Sequence, residues 1–262
     1  MNTDQTTKKK HIQECIINGR LDELPSMSEF DWMSLYDDGF GVLGALGLMV
    51  DVWDTPQEIQ EKIDKAQHDI PILLSKGYNP LQDYDTDDLY MLPSIKRVRD
   101  QNRSEEDLQS TQRYVRFWVK FCDQHGLKDL MGNNLLQIMA KTMFVQKIDF
   151  EGGQPHLFTE QNSEGNTVLH LMLSANMEVY QDGDEIDHLA QTAKFVTSMG
   201  GKWDTPNHAG ETPFDLLERA MSVNGVFLNS EVDKLFRTIQ RAMISEEVSE
   251  AGQAKMGHVK KM

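Results

Sequence analysis

Apolar residues recur at helical spacing through most of this chain, and no stretch shows the alternation expected of a run of strands. One strong helix start is Thr55-Pro56-Gln57-Glu58, which combines a cap, a proline at the first helical position and a capping-box glutamate. The apolar stripe that follows consists of Ile59, Ile63, Ala66 and Ile70. Pro71 is expected to kink or split this helix. The pattern as a whole predicts an all-α protein.

The same periodicity predicts helices elsewhere in the chain. One begins at Ser104-Glu105-Glu106-Asp107 and has a buried stripe that includes Trp118 and Cys122. Others are expected over 186–199 and, as a final amphipathic helix, over 232–243. Residues 11–30 read as a degenerate helix pair. The polar N-terminus, 1–10, is expected to be disordered and the tail, 245–262, to be flexible.

Two stretches, 162–172 and 207–217, share one pattern of residue types. Both read polar-x-x-Gly-x-Thr, then proline or valine, an apolar residue, and histidine or aspartate. The glycine suits a tight turn that needs positive φ, and the threonine can cap the helix that follows. Weaker copies of the pattern occur at 36–46, 85–95 and 129–139.

This pattern resembles the start of an ankyrin repeat, in which a turn leads into T-P-L-H-x-A at the opening of a helix. The resemblance implies an ankyrin-like helical repeat solenoid over 11–244 with helical capping at both ends. The glycine positions of the copies, at 39, 88, 132, 165 and 210, are unevenly spaced, whereas the family period is about 33 residues. Irregular insertions between the repeats are therefore expected.

The resemblance also implies roles for individual residues. His170 is expected to form a structural hydrogen bond in the turn region, and Asp215 stands at its place in the later copy. The family binds partners through inter-repeat hairpins and inner helices. The candidate partner-binding residues are therefore the aromatic and histidine side chains near these turns: Tyr78, Tyr84, His156, Phe158, Trp203 and His208. The alternative for Trp203 and Phe158 is that they pack onto neighbouring repeats.

Composition narrows the choice of partner and compartment. The chain of 262 residues carries a formal charge of −16, which disfavours binding to nucleic-acid phosphates. An acidic surface of this kind either keeps the protein soluble or fits a basic partner. The apolar run 40–50 is too short to span a bilayer, and no signal peptide is apparent. Two cysteines and 15 methionines fit a reducing, cytoplasmic setting.

The candidate chemistry in the sequence is sparse. Asp83, Asp85 and Asp87 resemble the start of a calcium loop, but that loop needs glycine and glutamate where Asp88 and Ser94 stand. Neither zinc-ligand spacing nor a phosphate-binding loop is found, so no metal and no cofactor are expected.

The expected function is non-enzymatic binding of another protein, by a monomer that needs no cofactor. The tail block 246–250 resembles the glutamate-rich delivery signal of bacterial effectors, which implies secretion into a host cell cytoplasm. The alternative is an enzyme with its active site in the insertions, of the cysteine-hydrolase type, built on Cys122 or Cys15.

Overall fold

The computed structural model describes residues 3–28, 32, 35, 41–50, 54–82, 104–141, 153–176, 183–224, 233–234 and 236–241. Across these ranges the chain is mostly helical and contains no strand. The all-α prediction is therefore confirmed for this part of the chain. The turn predicted at 85–95 and the tail 245–262 lie outside the described residues, as do residues 36–40 of the turn predicted at 36–46.

The chain divides into two compact units. The first contains residues 1–139 and 151–153, and the second contains 140–150 and 154–262. The predicted single repeat domain over 11–244 spans both units.

The helices of the first unit are α1 (Thr3–Ile17), α2 (Gly41–Ala45), α3 (Pro56–Ser75) and α4 (Glu105–Gln124), with a 3-10 turn at Leu21–Glu23. Helix α5 (Leu135–Ala140) ends at the division between the units. Residues 3–10 of the segment predicted to be disordered are described as the first part of α1. This segment contains neither glycine nor proline, and its lysines and glutamine are good helix formers.

Helices α3 and α4 pack together as the main core of the first unit. Helix α3 begins with the predicted capping box: Thr55 Oγ1 accepts from the Glu58 N–H, and Glu58 accepts from the Thr55 N–H at 2.7 Å. Pro71 does not split α3, which continues to Ser75. The proline is exposed, and so is Gln67, whose carbonyl lacks the helical partner that the missing N–H would supply.

Polar contacts fix the loop before α3 against this core. The buried Tyr114 hydroxyl donates to the Leu48 carbonyl at 2.7 Å. Lys65 Nζ donates to the Leu46 carbonyl at 2.6 Å, and Lys62 Nζ donates to the Met49 carbonyl at 2.8 Å. These donors satisfy loop carbonyls that have no helical partner.

The second unit contains α6 (Pro155–Thr159), α7 (Val168–Asn176), α8 (Gly183–Ser198) and α9 (Pro213–Asn224). Residues 168–173 of α7 are all buried, because α7 packs against α6, α8 and α9. Residues 233–234 and 236–241 are helical, in agreement with the predicted final helix. Phe236 of that segment stacks on Phe214 of α9, with ring centroids 5.0 Å apart.

One substitution measures how much the cap of α3 contributes to the free energy of unfolding. Thr55→Ala removes the acceptor for the Glu58 N–H and is expected to lower the free energy of unfolding by about 1 kcal/mol. Gln57→Ala, in the same helical turn, is the control and should cost little, because Gln57 is exposed. Equal effects of the two variants in chemical denaturation would contradict the role of the cap.

Candidate binding surface at the stacked turns

The first pattern copy in the second unit folds into a turn that is closed by one asparagine. Asn162 Oδ1 accepts from the N–H groups of Glu164 at 3.0 Å and Asn166 at 2.8 Å. The Asn162 carbonyl accepts from the Gly165 N–H, and the Asn162 N–H donates to the Asn166 carbonyl, both at 3.0 Å. We call residues 162–166 the Asn162 turn. Its backbone is held largely by groups within the turn itself.

The second pattern copy repeats this turn. Asn207 Oδ1 accepts from the N–H groups of Ala209 and Glu211, both at 3.0 Å. The Asn207 carbonyl accepts from Gly210, and its N–H donates to the Glu211 carbonyl, both at 2.9 Å. Gly210 has φ +82° and Gly165 has φ +80°, so both turns use the positive-φ glycine that the sequence predicted. We call residues 207–211 the Asn207 turn.

The first unit contains the same turn with aspartate at the first position. Asp129 Oδ1 accepts from the N–H groups of Met131 and Asn133, both at 2.8 Å. Gly132 donates to the Asp129 carbonyl at 3.0 Å. The turn predicted at 129–139 therefore begins as the sequence suggested.

An additional turn of this kind begins at Asn79, outside the five stretches that carry the sequence pattern. Its Oδ1 accepts from the Leu81 N–H and its carbonyl accepts from the Gln82 N–H, both at 3.0 Å. Gln82 thus stands at the glycine position of the pattern. The signal that could have located this turn is the Asn or Asp at its first position, since its side chain closes each turn.

A reciprocal cap follows two of the turns that carry the glycine, those that begin at Asp129 and Asn207. In the second unit, the N–H of Thr212 donates to Asp215 Oδ2 at 2.8 Å, and the Asp215 N–H donates back to Thr212 Oγ1 at 3.1 Å. In the first unit, Asn134 and Gln137 exchange the corresponding bonds at 2.9 and 3.0 Å. The fourth residue of each helix start therefore varies in type while the cap is retained.

His170 takes this fourth position after the Asn162 turn. The Thr167 N–H donates to His170 Nδ1 at 3.1 Å. Because a backbone N–H can only donate, Nδ1 is the acceptor and the proton lies on Nε2. His170 Nε2 then donates to the Glu211 carbonyl at 3.0 Å, in the next turn. The predicted structural role of His170 is thus matched by its contacts.

Two further bonds connect the Asn162 and Asn207 turns, and we call this contact between the two turns the joint. The His208 N–H donates to the Glu164 carbonyl at 2.9 Å. Asn207 Nδ2 donates to Asn166 Oδ1, also at 2.9 Å. Gly165 is buried at this joint, and a Cβ added there would lie 2.7 Å from the His208 nitrogen. Stacking of the second turn therefore requires glycine at 165.

Three of the six predicted partner-binding residues are buried. Tyr78 is packed against Trp32 with ring centroids 5.2 Å apart, and Phe158 contacts Phe195 edge to face at 6.1 Å. Trp203 is 6% exposed, and its Nε1 donates to Thr197 Oγ1 at 2.8 Å. These rings fill core space and are not available as surface anchors. For Trp203 and Phe158 the packing alternative is the one that the structure supports.

Two of the remaining residues, His156 and His208, are exposed. Tyr84 lies outside the described residues. The backbone of His208 serves the joint between the turns, while its side chain is exposed at the surface.

Two exposed apolar side chains in the turn that begins at Asp129 were not among the predicted partner-binding residues. Leu130 and Met131, at the tip of the turn that begins at Asp129, are 66% and 40% exposed. The only other large apolar side chain with comparable exposure in the described ranges is Ile17, at 65%. The missed signal is the pair of adjacent large apolar residues between the first residue of the turn and its glycine.

Both cysteines are buried. Cys122 is buried, and burial raises the pKa of its thiol, so the protonated form is favoured. Cys15 is also buried, with its Sγ 3.8 Å from His11 Nε2. The His11–Cys15 pair is a contact that the sequence analysis did not consider. The thiol of Cys122, which is both buried and protonated, is a poor attacking group.

The part of the chain that the structure describes contains no cluster of three or more His, Cys, Asp or Glu side chains able to hold a metal ion. Within the same ranges, no helix has the length and apolar character needed to cross a membrane. The aspartates of the calcium-like stretch 83–87 lie outside them. Comparison with protein-family models, with curated proteins and with solved structures finds no match.

The two equivalent glycines provide a matched test of turn stacking. Gly210→Ala adds a side chain at positive φ in open space and is expected to lower the free energy of unfolding by about 1–2 kcal/mol. Gly165→Ala adds the same strain and also meets His208, which should cost about 1–3 kcal/mol more. Denaturation curves that place both variants at the same midpoint would show that the joint contributes nothing.

The joint should also depend on pH through His170. Burial lowers the pKa of its imidazole below 6.5, so the folded state prefers the neutral ring. The stabilisation is fully present above about pH 6.5 and is lost as the pH falls from there through the lower, folded-state pKa. We therefore expect the free energy of unfolding to decrease on acidification from about pH 7.5 to 5.

Replacing His170 isolates this pH dependence. His170→Ala should lower stability by about 1–3 kcal/mol at neutral pH, because Thr167 and Glu211 lose a buried partner. The same variant should flatten the curve of stability against pH, whereas the exposed-residue control His208→Ala should leave its slope unchanged. A slope that persists in His170→Ala would assign the pH dependence to another group.

Proposed function

We propose that this chain is a non-enzymatic protein-binding module of the ankyrin-like kind, which presents the tips of its turns to a partner. The observation that carries the proposal is the recurrence of one closed turn, each time followed at once by a helix. Asp129, Asn162 and Asn207 close their turns with the same pattern of hydrogen bonds.

Internal closure favours binding because it reduces the entropy lost on docking. Each of these turns holds its backbone by side-chain and backbone bonds within five residues, so its tip is ordered before a partner arrives. Contacts made by a pre-ordered loop retain more of their free energy in the complex. The ankyrin resemblance supports the same mode, since that family binds through its hairpins and inner helices.

The tip formed by Leu130 and Met131 is the best candidate for an apolar anchor. These two large, exposed apolar side chains are adjacent in sequence, on a turn that the Asp129 side chain closes. Exposed apolar groups of this kind gain free energy when a partner covers them. The buried rings of Tyr78, Phe158 and Trp203 would then stabilise the frame that holds such tips.

A basic partner fits the charge of the chain. With 42 acidic and 26 basic residues, the protein carries a long-range field that attracts positive charge. Delivery into a host cell as a bacterial effector remains a prediction. It depends on the glutamate-rich block 246–250, which lies outside the described residues.

The anchor role predicts a separation between binding and stability. The double variant Leu130→Ser, Met131→Ser should keep the circular dichroism spectrum and thermal midpoint of the wild type, since both side chains are exposed. The binder is first captured from a eukaryotic lysate on the immobilised wild-type chain, identified and purified. Its affinity for the double variant is expected to be about tenfold or more weaker than for the wild type.

Ile17→Ser is the matched control, because Ile17 is equally exposed but lies at the end of α1. It should retain the binder at wild-type affinity. The proposal fails if the wild-type chain retains no protein above an unrelated bait, and the anchor role fails if the double variant retains the same binder equally well.

A further inference from the structure

The joint between the Asn162 and Asn207 turns shows what a turn of this type accepts on its stacking face. The Asn162 turn offers two acceptors, the Glu164 carbonyl and Asn166 Oδ1, and the neighbouring His170 adds one donor, Nε2–H. The Asn207 turn supplies two donors, the His208 N–H and Asn207 Nδ2, and one acceptor, the Glu211 carbonyl. The stacking face is thus matched group by group.

The Asn207 turn has the same face, and none of the residues that the structure describes covers it. Ala209 occupies the place of Glu164, and its carbonyl accepts no hydrogen bond that the structure records for the described chain. Gly210 occupies the place of Gly165. It is exposed, and a Cβ added there would meet no atom within 4 Å. We call the group formed by Ala209, Gly210, Glu211 and Asp215 the open face.

The open face differs from the joint in its chemistry, because it offers acceptors at all three places. Glu211 stands at the place of Asn166 and presents a carboxylate, which Arg219 contacts on one oxygen. Asp215 stands at the place of His170. Its Oδ2 accepts from Thr212, and the described residues provide no donor to its Oδ1. A donor has therefore been replaced by a negatively charged acceptor.

We infer that the open face binds a basic peptide segment of another protein, which donates a backbone N–H to the Ala209 carbonyl and a lysine or arginine side chain to Glu211 and Asp215. This inference rests on the proposed binding function and identifies the class of partner. A carboxylate paired with a cationic donor forms a stronger hydrogen bond than the neutral pairs at the joint.

The same chemistry disfavours another turn of this chain on the open face. Such a turn would bring its own carbonyl, equivalent to that of Glu211, to the place where His170 donates at the joint. There it would meet the Asp215 carboxylate, and two acceptors would face each other without a proton between them. A basic segment has no such conflict, and the acidic balance of the chain favours its approach.

The test uses the full chain and a phage-displayed library of random dodecapeptides. Selected peptides are synthesised, and their affinities are measured for the wild type and for two variants. Asp215→His restores the donor and removes the charge, and its cap is expected to survive because His170 makes the equivalent cap in this chain. In Gly210→Asn, the asparagine tolerates the positive φ of this position, and its side chain is expected to obstruct the open face. Asp64→His, at an exposed helical carboxylate of the first unit, is the matched control.

We expect the selected peptides to be rich in lysine and arginine. Their affinity should be about tenfold or more weaker for Asp215→His and Gly210→Asn than for the wild type, and unchanged for Asp64→His. Peptides that bind both variants as tightly as the wild type overturn it. If those peptides instead lose affinity for Leu130→Ser, Met131→Ser, the proposed binding function still stands. A library that yields no binder counts against both.

Discussion

The side chain of one asparagine or aspartate, folded back over its own turn, is the interaction on which the arrangement of the turns depends. A tight turn leaves several backbone N–H groups pointing inward, and an unpaired buried N–H is costly. One Asx oxygen satisfies two of them at once in each of the turns at Asp129, Asn162 and Asn207. With the backbone satisfied locally, each turn can present one face to a neighbouring turn and its tip to solvent.

This local closure separates two tasks that other loops combine. The first and fourth positions, occupied by Asn162 and Gly165 in one turn, fix the shape. The two positions between them carry no such constraint, which is why they differ between turns: Leu130 and Met131 in one, Ser163 and Glu164 in another. Variation of the tip therefore leaves the frame intact, a property that suits a binding module.

The sequence allowed the helical class, the helix starts and three of the turns to be predicted, because these features depend on neighbouring residues. Thr55, Ser104 and Thr212 each form a cap within four residues of chain. The turn at Asn79 was not recognised as a further copy of the pattern, because Gln82 replaces the glycine that served as the marker. Burial of Trp203 was equally out of reach, because it depends on Thr197 and on the way α9 follows the turn. Side-chain exposure is decided by contacts between elements, and a single sequence does not specify these.

The span of the hydrogen bonds around Asn162 and Asn207 also bears on how the second unit folds. The bonds that close each turn join residues no more than four apart, whereas the bond from His170 to Glu211 spans 41 residues and that from Asn207 to Asn166 spans the same distance. Short loops close within about a hundred nanoseconds, and longer ones require a larger loss of chain entropy. We therefore expect the turns to reach their native shape early and to act as preformed pieces, with the slow step being the alignment of one finished turn on the next. A chain assembled in this order tolerates long insertions between turns, because an insertion delays the alignment without disturbing either piece.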